Sequence, residues 1–463
     1  MLDLGRLIPN KRIHKTYFIG IGGAGMSGIA ELLHHNGFEV SGSDMQESAQ
    51  TEYLQNLGVK IFIGHKAENI SGAELVVYSS AVHMDNPEIR QAKKTGIPVI
   101  RRAEMLGELM RLKYTLAIAG THGKSSTTSL VGSIFEAAGE DPSVVVGGIV
   151  QGKGSGTTIG KGSYLIAEAD EFDHSFLQMM PSSAIITNID TDHLDTYRDL
   201  DDIKNAFVEF ANKVPFYGQV VMCIDDIGCQ SVLSRLGKPV ITYGFSPQAA
   251  YSVKNCRYSE KGSGFSVYCR GELLGEFSTC LLGRHNVQNS VAAIALATEE
   301  SIPVEVSKKA LATFAGVKRR MEFKGTVGGA LVFDDYAHHP TEVAATLSAF
   351  RESFPDRRIV VVFQPHLYSR TRDHAEEFGT VFIGSDILLV CDIYGAREQP
   401  LEGVSGKIIF DCATERGHKN AHFIGAKENA LKFLSGEIRE TDLIVTMGAG
   451  NITSLSAKIL EVI

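Results

Sequence analysis

Short apolar runs alternate along this chain with segments whose apolar residues recur at helical spacing. The first run, residues 16–19, leads into a glycine-rich turn and a helical pattern, and a second run ends at Asp44. The same order of strand, polar loop and helix recurs near residue 114 and again after residue 320. Because strands that alternate with helices are typical of parallel sheets, the pattern predicts an α/β protein made of three such blocks.

The limits of the three blocks predict three domains, which we place at residues 1–111, 112–320 and 321–463. A chain of 463 residues is long enough for roughly two to four domains. Residues 251–280 depart from the general pattern, because apolar and polar positions alternate there, and this predicts antiparallel strands.

Composition excludes several classes of protein. The formal net charge of -9 disfavours a nucleic-acid scaffold and a polybasic membrane binder, so we expect no nucleic-acid partner. No apolar run approaches the length of about 18 residues that a spanning helix needs, and the N-terminus lacks the apolar core of a secretory signal. The seven cysteines form no C-x-x-C pair, which argues against structural zinc and a disulfide framework. We therefore expect a cytoplasmic protein that makes no contact with membranes.

Residues 117–129 follow the order strand, glycine-rich loop, helix. Such a loop turns backbone N–H groups toward an anion at a helix N-terminus, where Lys124 can reach outer phosphates and the Ser125 hydroxyl can hold Mg²⁺. The segment therefore predicts a site for ATP or GTP. Ile118 stands where the common G-x-x-x-x-G-K spacing has glycine, so the loop is a shortened variant. The alternative is a simple glycine turn beside a surface lysine.

Two further residues of the second block are candidate metal ligands. Glu168 ends one predicted strand, and His193 lies in the loop that follows another. Because ligands of parallel sheets gather at the carboxyl ends of strands, both side chains could converge with Ser125 on one divalent cation. Oxygen ligands suit Mg²⁺, and an imidazole is also compatible with Mn²⁺. The alternative is a solvated carboxylate and an ordinary loop histidine.

The first block contains a dinucleotide-binding fingerprint. Gly20, Gly22 and Gly25 have the spacing G-x-G-x-x-G between a strand and a helix, and Asp44 follows at about the expected offset of ~20 residues. The backbone donors of such a turn accept any pyrophosphate, so the loop could bind NAD or a UDP-sugar. A turn without a ligand is the remaining alternative.

The end of the second block and the third block hold the remaining candidates. His285 and Asn286 open a helix, where they could bind a purine edge or serve as an ordinary cap. Arg320 ends a basic junction that could close onto phosphates or simply be solvated. Polar clusters follow two predicted strands and could bind a ribose and a small anionic substrate. These clusters contain Asp335, His338, Arg370 and Arg372.

Taken in order, the motifs resemble the Mur ligase family over nearly the whole chain. The matching segments are GIGGAGMSGIA, SGSD, SSAV with DNPE, GTHGKSSTTS, AEADEFD, TNIDTDHLDTY, GRHN, GVKRR, DDYAHHPTE and FQPH-x-Y-x-RTRD. The resemblance implies a Rossmann-like UDP-sugar domain, a central ATP-binding domain of the phosphate-loop type and a Rossmann-like C-terminal domain for the amino acid. It implies ATP-dependent ligation of L-alanine to UDP-N-acetylmuramate through an acyl phosphate, in the synthesis of peptidoglycan precursors.

The resemblance also assigns residues to each ligand. Those assigned to ATP are Gly120, Thr121, His122, Gly123, Lys124, Ser125, Ser126, His285, Asn286, Arg320 and Asp335. Those assigned to the UDP-sugar are Gly20, Gly22, Gly23, Gly25, His65 and Ser79. The amino acid is assigned His338, Arg370 and Arg372, and the metal Ser125, Glu168 and His193. Lys124, Glu168, His193 and Arg320 are the expected catalytic residues. Leu367 departs from the arginine that some members carry, so Arg370 alone or with Arg372 would bind the alanine carboxylate.

Three other functions remain open at this point. The first is a recycling ligase of the same family that adds a tripeptide to the same UDP-sugar, although the TNIDTDHLDTY and GIGGAGMSG segments favour alanine. The second is a nucleotide-dependent switch, which would need no amino-acid site. The third is an NAD-dependent oxidoreductase, which would leave the phosphate loop unexplained. Selectivity among L-alanine, glycine and L-serine is also open, because one methyl group is worth only about 1–3 kcal/mol.

Overall fold

The computed structural model describes residues 13–79, 81–111, 113–151, 156–192, 196–396 and 398–462. These residues form two compact units. The first unit comprises the chain up to Lys254 with Ser266–Phe277 and Gln288–Phe314, and the second comprises Asn255–Phe265, Ser278–Val287 and the chain from Ala315 onward. The predicted domain limits at residues 111 and 320 stay predictions. Among the described residues, no helix has the length and apolar character needed to cross a membrane.

The first unit opens with a five-stranded parallel sheet in the order β3-β2-β1-β4-β5. Its strands are β1 (Lys15–Ile19), β2 (Glu39–Asp44), β3 (Lys60–Ile63), β4 (Leu75–Tyr78) and β5 (Val99–Arg101). Its helices are α1 (Ala24–His35), α2 (Ala49–Asn56), α3 (Pro87–Thr95) and α4 (Arg102–Met110), with a 3-10 turn at Ala67–Ile70. Tyr17, Phe18 and Ile19 are all fully buried, as expected for a central parallel strand covered on both faces.

The same unit contains the larger sheet, whose parallel strands run in the order β12-β11-β10-β6-β9-β7, with the short β8 antiparallel at the edge. These strands are β6 (Tyr114–Ala119), β7 (Ser143–Val145), β8 (Thr157–Thr158), β9 (Tyr164–Glu168), β10 (Ser183–Ile186), β11 (Val220–Cys223) and β12 (Val240–Gly244). The helices between them are α5 (Lys124–Ala137), α6 (Leu200–Ala211) and α7 (Ile227–Val232), with 3-10 turns at Phe172–Gln178 and Leu233–Arg235.

The alternating stretch at 251–280 folds into three consecutive strands. They are β13 (Tyr251–Ser259), β14 (Gly262–Cys269) and β15 (Glu272–Thr279). Connections this short join only antiparallel neighbours, so the prediction for this stretch is confirmed. Helices α8 (Arg284–Glu299) and α9 (Val304–Thr313) follow.

The second unit is built on a six-stranded sheet in the order β16-β17-β21-β18-β19-β20, in which only β16 is antiparallel. Its strands are β16 (Glu322–Val327), β17 (Ala330–Asp335), β18 (Arg358–Phe363), β19 (Ile387–Cys391), β20 (Ala421–Gly425) and β21 (Asp442–Met447). Its helices are α10 (Pro340–Ser353), α11 (Tyr368–Asp373), α12 (Ala375–Val381), α13 (Lys407–Glu415), α14 (Asn429–Glu437) and α15 (Thr453–Val462), with a 3-10 turn at Phe382–Gly384. The α/β prediction is confirmed.

Candidate active site

The predicted phosphate loop joins β6 to α5. Gly120 and Gly123 have φ angles of +134° and +83°, a region that side chains other than glycine rarely adopt. A Cβ atom at Gly120 would lie 1.9 Å from the Thr187 hydroxyl oxygen, and one at Gly123 would lie 2.8 Å from Asn289 Oδ1. Both glycines are therefore required by conformation and by space, and the loop ends at the N-terminus of α5, where Lys124, Ser125 and Ser126 form the first turn.

Residues after β10 hold this loop in place. The Thr187 hydroxyl donates to the His122 carbonyl at 2.6 Å, and Asn188 Nδ2 donates to the same oxygen at 3.0 Å. Asn188 Oδ1 accepts the His122 N–H at 2.8 Å, and the Asp190 N–H donates to the Thr121 hydroxyl at 2.9 Å. The loop is therefore preorganised. The sequence placed the TNID segment in the family pattern but did not assign it this supporting role.

Lys124 lies deep in the loop and is paired with a buried carboxylate. Its Nζ donates to Glu171 Oε2 at 2.7 Å and Oε1 at 3.0 Å, and to the carbonyls of Gly120 and Thr121 at 2.7 and 3.1 Å. Burial lowers the pKa of Lys124, but the Glu171 carboxylate outweighs it and the net pKa is raised, so the ammonium is charged. Burial raises the pKa of Glu171 to about 7, against the opposing effect of Lys124. Sequence reasoning did not single out Glu171.

Ser125 and Glu168, the two described residues of the predicted metal site, come together. The Ser125 hydroxyl lies 3.0 and 3.1 Å from the two carboxylate oxygens of Glu168, and the Gly147 N–H donates to Glu168 Oε2 at 2.8 Å. A hydroxyl and a carboxylate at this separation are the hard oxygen donors that Mg²⁺ prefers, so these residues fit a divalent cation. The third predicted ligand, His193, lies outside the described residues.

The glycine fingerprint of the first block opens onto a cavity of about 560 Å³. It is lined by Gly20, Gly22, Gly23, His65 and Ser79, which the resemblance assigns to the UDP-sugar. The remaining lining residues are Asp44, Met45, Gln46, Glu47, Ser48, Ala81, Val82, His83, Asp85 and Asn86. Gly25 does not line the cavity. A Cβ atom there would lie 2.5 Å from Arg102 Nη1, so this glycine makes room for an arginine side chain.

In the dinucleotide fingerprint the acidic residue binds a ribose, whereas in this structure the Asp44 carboxylate binds backbone N–H groups. Its Oδ2 accepts the Gly22 N–H at 2.8 Å, and its Oδ1 accepts the Met45 N–H at 2.8 Å. The carboxylate thus binds the glycine turn itself. Asp44 also lines the cavity, and each of its carboxylate oxygens keeps a second lone pair with which it can accept from a ligand.

In the second unit, two predicted residues, Arg320 and His338, contact a glutamate that sequence reasoning did not assign. Glu342 Oε1 lies 3.6 Å from Arg320 Nη1, and Glu342 Oε2 lies 3.1 Å from His338 Nδ1 and accepts the His338 N–H at 3.0 Å. Asp335 accepts the N–H groups of Met321 and Ala337 at 2.7 and 2.6 Å. Burial raises the pKa of Asp335 to about 6, although Arg320 opposes this.

His285 and Asn286 occupy the first turn of α8, as predicted. Burial and the nearby Arg320 guanidinium lower the pKa of His285 to about 4, so this imidazole is neutral at physiological pH. Asn286 Nδ2 donates to the Leu282 carbonyl at 2.9 Å. One amide donor of Asn286 is therefore used within the fold.

The two candidate arginines of the third block differ in their surroundings. Arg372 is 56% exposed and binds the adjacent Asp373 with two hydrogen bonds of 2.7 and 3.2 Å. Arg370 is half-buried in α11. Leu367, which precedes this helix, has a φ of +68°, a strained value for a bulky side chain. Such strain is common at ligand sites, and here it marks the loop that leads to Arg370.

Comparison with known proteins defines the class of protein. A model of the "Mur ligase family, catalytic domain" matches residues 15–114, one of the "Mur ligase middle domain" matches residues 118–297, and one of the "Mur ligase, glutamate ligase domain" matches residues 319–450. The chain therefore belongs to the Mur ligase family, whose members use ATP and a divalent metal ion.

Several individual relatives match over nearly their whole length. The UDP-N-acetylmuramate–L-alanine ligase of Sorangium cellulosum (strain So ce56) is 49% identical, and the match covers 96% of this chain and 95% of that protein. The enzyme of the same name from Desulfotalea psychrophila (strain LSv54 / DSM 12343) is also 49% identical, with coverage of 97% and 98%. The crystal structure of UDP-N-acetylmuramate-alanine ligase MurC from Thermotoga maritima is 30% identical, with a TM-score of 0.82 and coverage of 96% and 98%.

Proposed function

We propose that this protein is an ATP-dependent ligase that joins L-alanine to UDP-N-acetylmuramate. The observation that carries the proposal is the phosphate loop, which holds a charged Lys124 and has the oxygen atoms of Ser125 and Glu168 beside it. The chain that contains this loop is nearly half identical to ligases of that name. The switch alternative leaves the amino-acid site of the third block unexplained, and the oxidoreductase alternative leaves the phosphate loop unexplained.

In this proposal the first unit binds both the phosphates and the UDP-sugar. Residues 120–126 bind the ATP phosphates, with Lys124 at the outer ones, and the cavity at Gly20, Gly22 and Gly23 binds the UDP moiety. Within the second unit, His285, Asn286, Arg320 and Asp335 are the residues that we propose for the nucleotide, and His338 and Arg370 are those that we propose for L-alanine. The paired and exposed state of Arg372 supports a minor role for it.

Ser125 and Glu168 would hold the divalent ion, which we propose to be Mg²⁺, with His193 as a third protein ligand. The ion would neutralise charge on the transferring phosphoryl group. Mg²⁺ keeps several waters and is bound by few protein groups together with substrate phosphates, which is consistent with two or three protein ligands here.

The proposed reaction proceeds in two steps. The muramate carboxylate attacks the γ-phosphate of ATP, releasing ADP and giving an acyl phosphate, and the neutral amine of L-alanine then displaces inorganic phosphate to form the amide. Lys124 stabilises the charge that develops on the phosphoryl oxygens. Coupling to ATP is required because a carboxylate is a poor electrophile at neutral pH, and alignment of the three substrates lowers the barrier by several kcal/mol.

The domain limits at 111 and 320 and the location in the cytoplasm are also part of the proposal. The three family models end and begin near these limits, which supports them. None of the seven cysteines, all of which lie among the described residues, forms a disulfide, which supports a reducing compartment.

The proposal is tested by product formation with defined substrates. Mass spectrometry after incubation with ATP, Mg²⁺ and UDP-N-acetylmuramate should detect the L-alanyl product, and Lys124→Ala should abolish it while UDP-sugar binding persists. Parallel reactions with glycine, L-serine and the tripeptide define the amino-acid substrate. Product from the tripeptide alone would identify a recycling ligase, and tight NAD binding without UDP-sugar binding would overturn the proposal.

A further inference from the structure

A fully buried glutamate lies beneath the UDP-sugar cavity. Glu88 has no solvent exposure, and donors converge on both of its carboxylate oxygens. Tyr17 Oη donates to Oε1 at 2.9 Å and Asn69 Nδ2 donates to it at 2.8 Å, while Ser43 Oγ donates to Oε2 at 2.7 Å. A phenol, an amide and a hydroxyl are the donors in these three contacts, so Glu88 is the acceptor in each of them.

His65 connects this network to the cavity. Its Nδ1 lies 3.0 Å from Glu88 Oε2 and 2.9 Å from Ser43 Oγ, whose single proton is already donated to Glu88. Both neighbours of Nδ1 are therefore acceptors, and only a protonated Nδ1 can bind them. In the neutral imidazole the proton on Nδ1 leaves Nε2 with a lone pair. His65 is one of the residues that line the cavity, and its side chain is 13% exposed.

We propose that His65 binds the UDP-sugar as a hydrogen-bond acceptor through Nε2, and that Glu88 is the positioning residue that fixes this tautomer. The inference rests on the proposed binding of the UDP-sugar in this cavity. An acceptor at Nε2 selects the neutral donors of that ligand, which are the uracil N3–H, the sugar hydroxyls and the acetamido N–H. It does not select the pyrophosphate, which offers only acceptor oxygens.

Protonation of Nε2 would convert this acceptor into a donor, so UDP-sugar affinity should fall when this nitrogen takes up a proton at low pH. Glu88 faces the imidazole from α3 and Ser43 faces it from β2, and Lys66 is the adjacent charged residue. The other titratable groups that line the cavity are Asp44, Glu47, His83 and Asp85. His83 is the other histidine among the lining residues, so His83→Gln is the matched control and should keep the pH dependence.

The tautomer can be measured in the free full-length protein. In long-range ¹H–¹⁵N spectra of the ¹⁵N-histidine-labelled chain above pH 8, the signals lost in His65→Phe should show a protonated Nδ1 and an unprotonated Nε2. Glu88→Gln should remove this preference, and should weaken UDP-sugar binding without changing ATP binding. If Glu88→Gln does not fold, the wild-type spectrum still decides the question. A spectrum with the proton on Nε2 would overturn the inference even where UDP-sugar binding is intact.

Calorimetric titrations identify the donor on the ligand. His65→Phe should lose roughly three- to tenfold in affinity, as expected for one neutral hydrogen bond. The N3-methyl, 2′-deoxy and 3′-deoxy analogues should each be compared in wild type and in His65→Phe, and the analogue that lacks the partner should lose affinity only in wild type. If the affinity rises as the pH falls in wild type but not in His65→Phe, the His65 imidazolium binds the pyrophosphate as a cation, and the proposal is contradicted. Absence of any UDP-sugar binding in wild type would instead contradict the proposed function.

Discussion

The ion pair between Lys124 and Glu171 provides a quantitative test of the phosphate-loop geometry. The two side chains are 12% and 2% exposed and meet at 2.7 Å. Removing one partner of a buried pair costs about 3–5 kcal/mol, whereas replacing both by neutral groups of similar shape is often close to neutral. We therefore expect Glu171→Gln to lower the free energy of unfolding by about 3 kcal/mol, because the ammonium would keep only carbonyl partners.

Lys124→Met should cost less than Glu171→Gln near neutral pH. Burial already raises the pKa of Glu171 to about 7, so without its cation this carboxyl can take up a proton. A carboxyl group whose pKa is higher in the folded than in the unfolded state stabilises the fold at pH values below the unfolded pKa. This stabilisation is lost as the pH rises through the folded pKa. Lys124→Met should therefore be more destabilising at pH 8 than at pH 5.

The assay is a double-mutant cycle measured by urea denaturation and circular dichroism. The variant with both substitutions should be more stable than the sum of the two single effects predicts, with a coupling energy of about 2–4 kcal/mol. The exposed pair Arg198–Asp202, at 3.5 Å, is the control and should show no measurable coupling. Additive effects of Lys124→Met and Glu171→Gln would refute the reasoning, because they would mean that the two side chains do not form a buried pair.

Three further predictions follow from the site. Ser125→Ala should raise the Mg²⁺ concentration for half-maximal rate with little change in UDP-sugar affinity, and an unchanged metal dependence would remove this hydroxyl from the metal site. Gly22→Ala should lower UDP-sugar affinity at least tenfold in calorimetry, because the new Cβ would lie 2.9–3.1 Å from three side-chain atoms, whereas Gly436→Ala, which meets nothing within 4 Å, should bind normally. The pKa of His285 is lowered to about 4 in the folded state, so the neutral imidazole stabilises the fold at pH values above the unfolded pKa of about 6.5. This stabilisation, at most about 3 kcal/mol, is lost as the pH falls toward 4. A His285→Gln variant that loses stability as steeply as wild type between pH 6.5 and 4 would contradict this assignment.

Local features of the fold and site were predictable from sequence because the signal and the structure occupy the same short segment. The strand, the glycine loop and the start of α5 at residues 114–126 are adjacent, and positive φ at Gly120 and Gly123 is a property of glycine itself. The position of Glu168 at the end of β9 followed from the apolar run before it, and topology then placed it beside Ser125.

The partners of the predicted residues were not predictable, because they depend on contacts between distant segments. Glu171 and Glu342 belong to motifs that the sequence identified, but nothing local shows that one binds Lys124 and the other lies between Arg320 and His338. The use of Asp44 by the glycine turn was likewise hidden, since the same residue spacing serves ribose binding in dinucleotide enzymes.

The central claim, ligation through an acyl phosphate, is tested most directly by isotope transfer from the acceptor carboxylate. UDP-N-acetylmuramate labelled with ¹⁸O in its carboxylate should be incubated with ATP, Mg²⁺ and L-alanine, and the released phosphate analysed by mass spectrometry. The account predicts that each phosphate carries one ¹⁸O atom from the carboxylate, in amounts equal to the amide formed. Amide formation with unlabelled phosphate, or phosphate release that does not require the UDP-sugar, would contradict it.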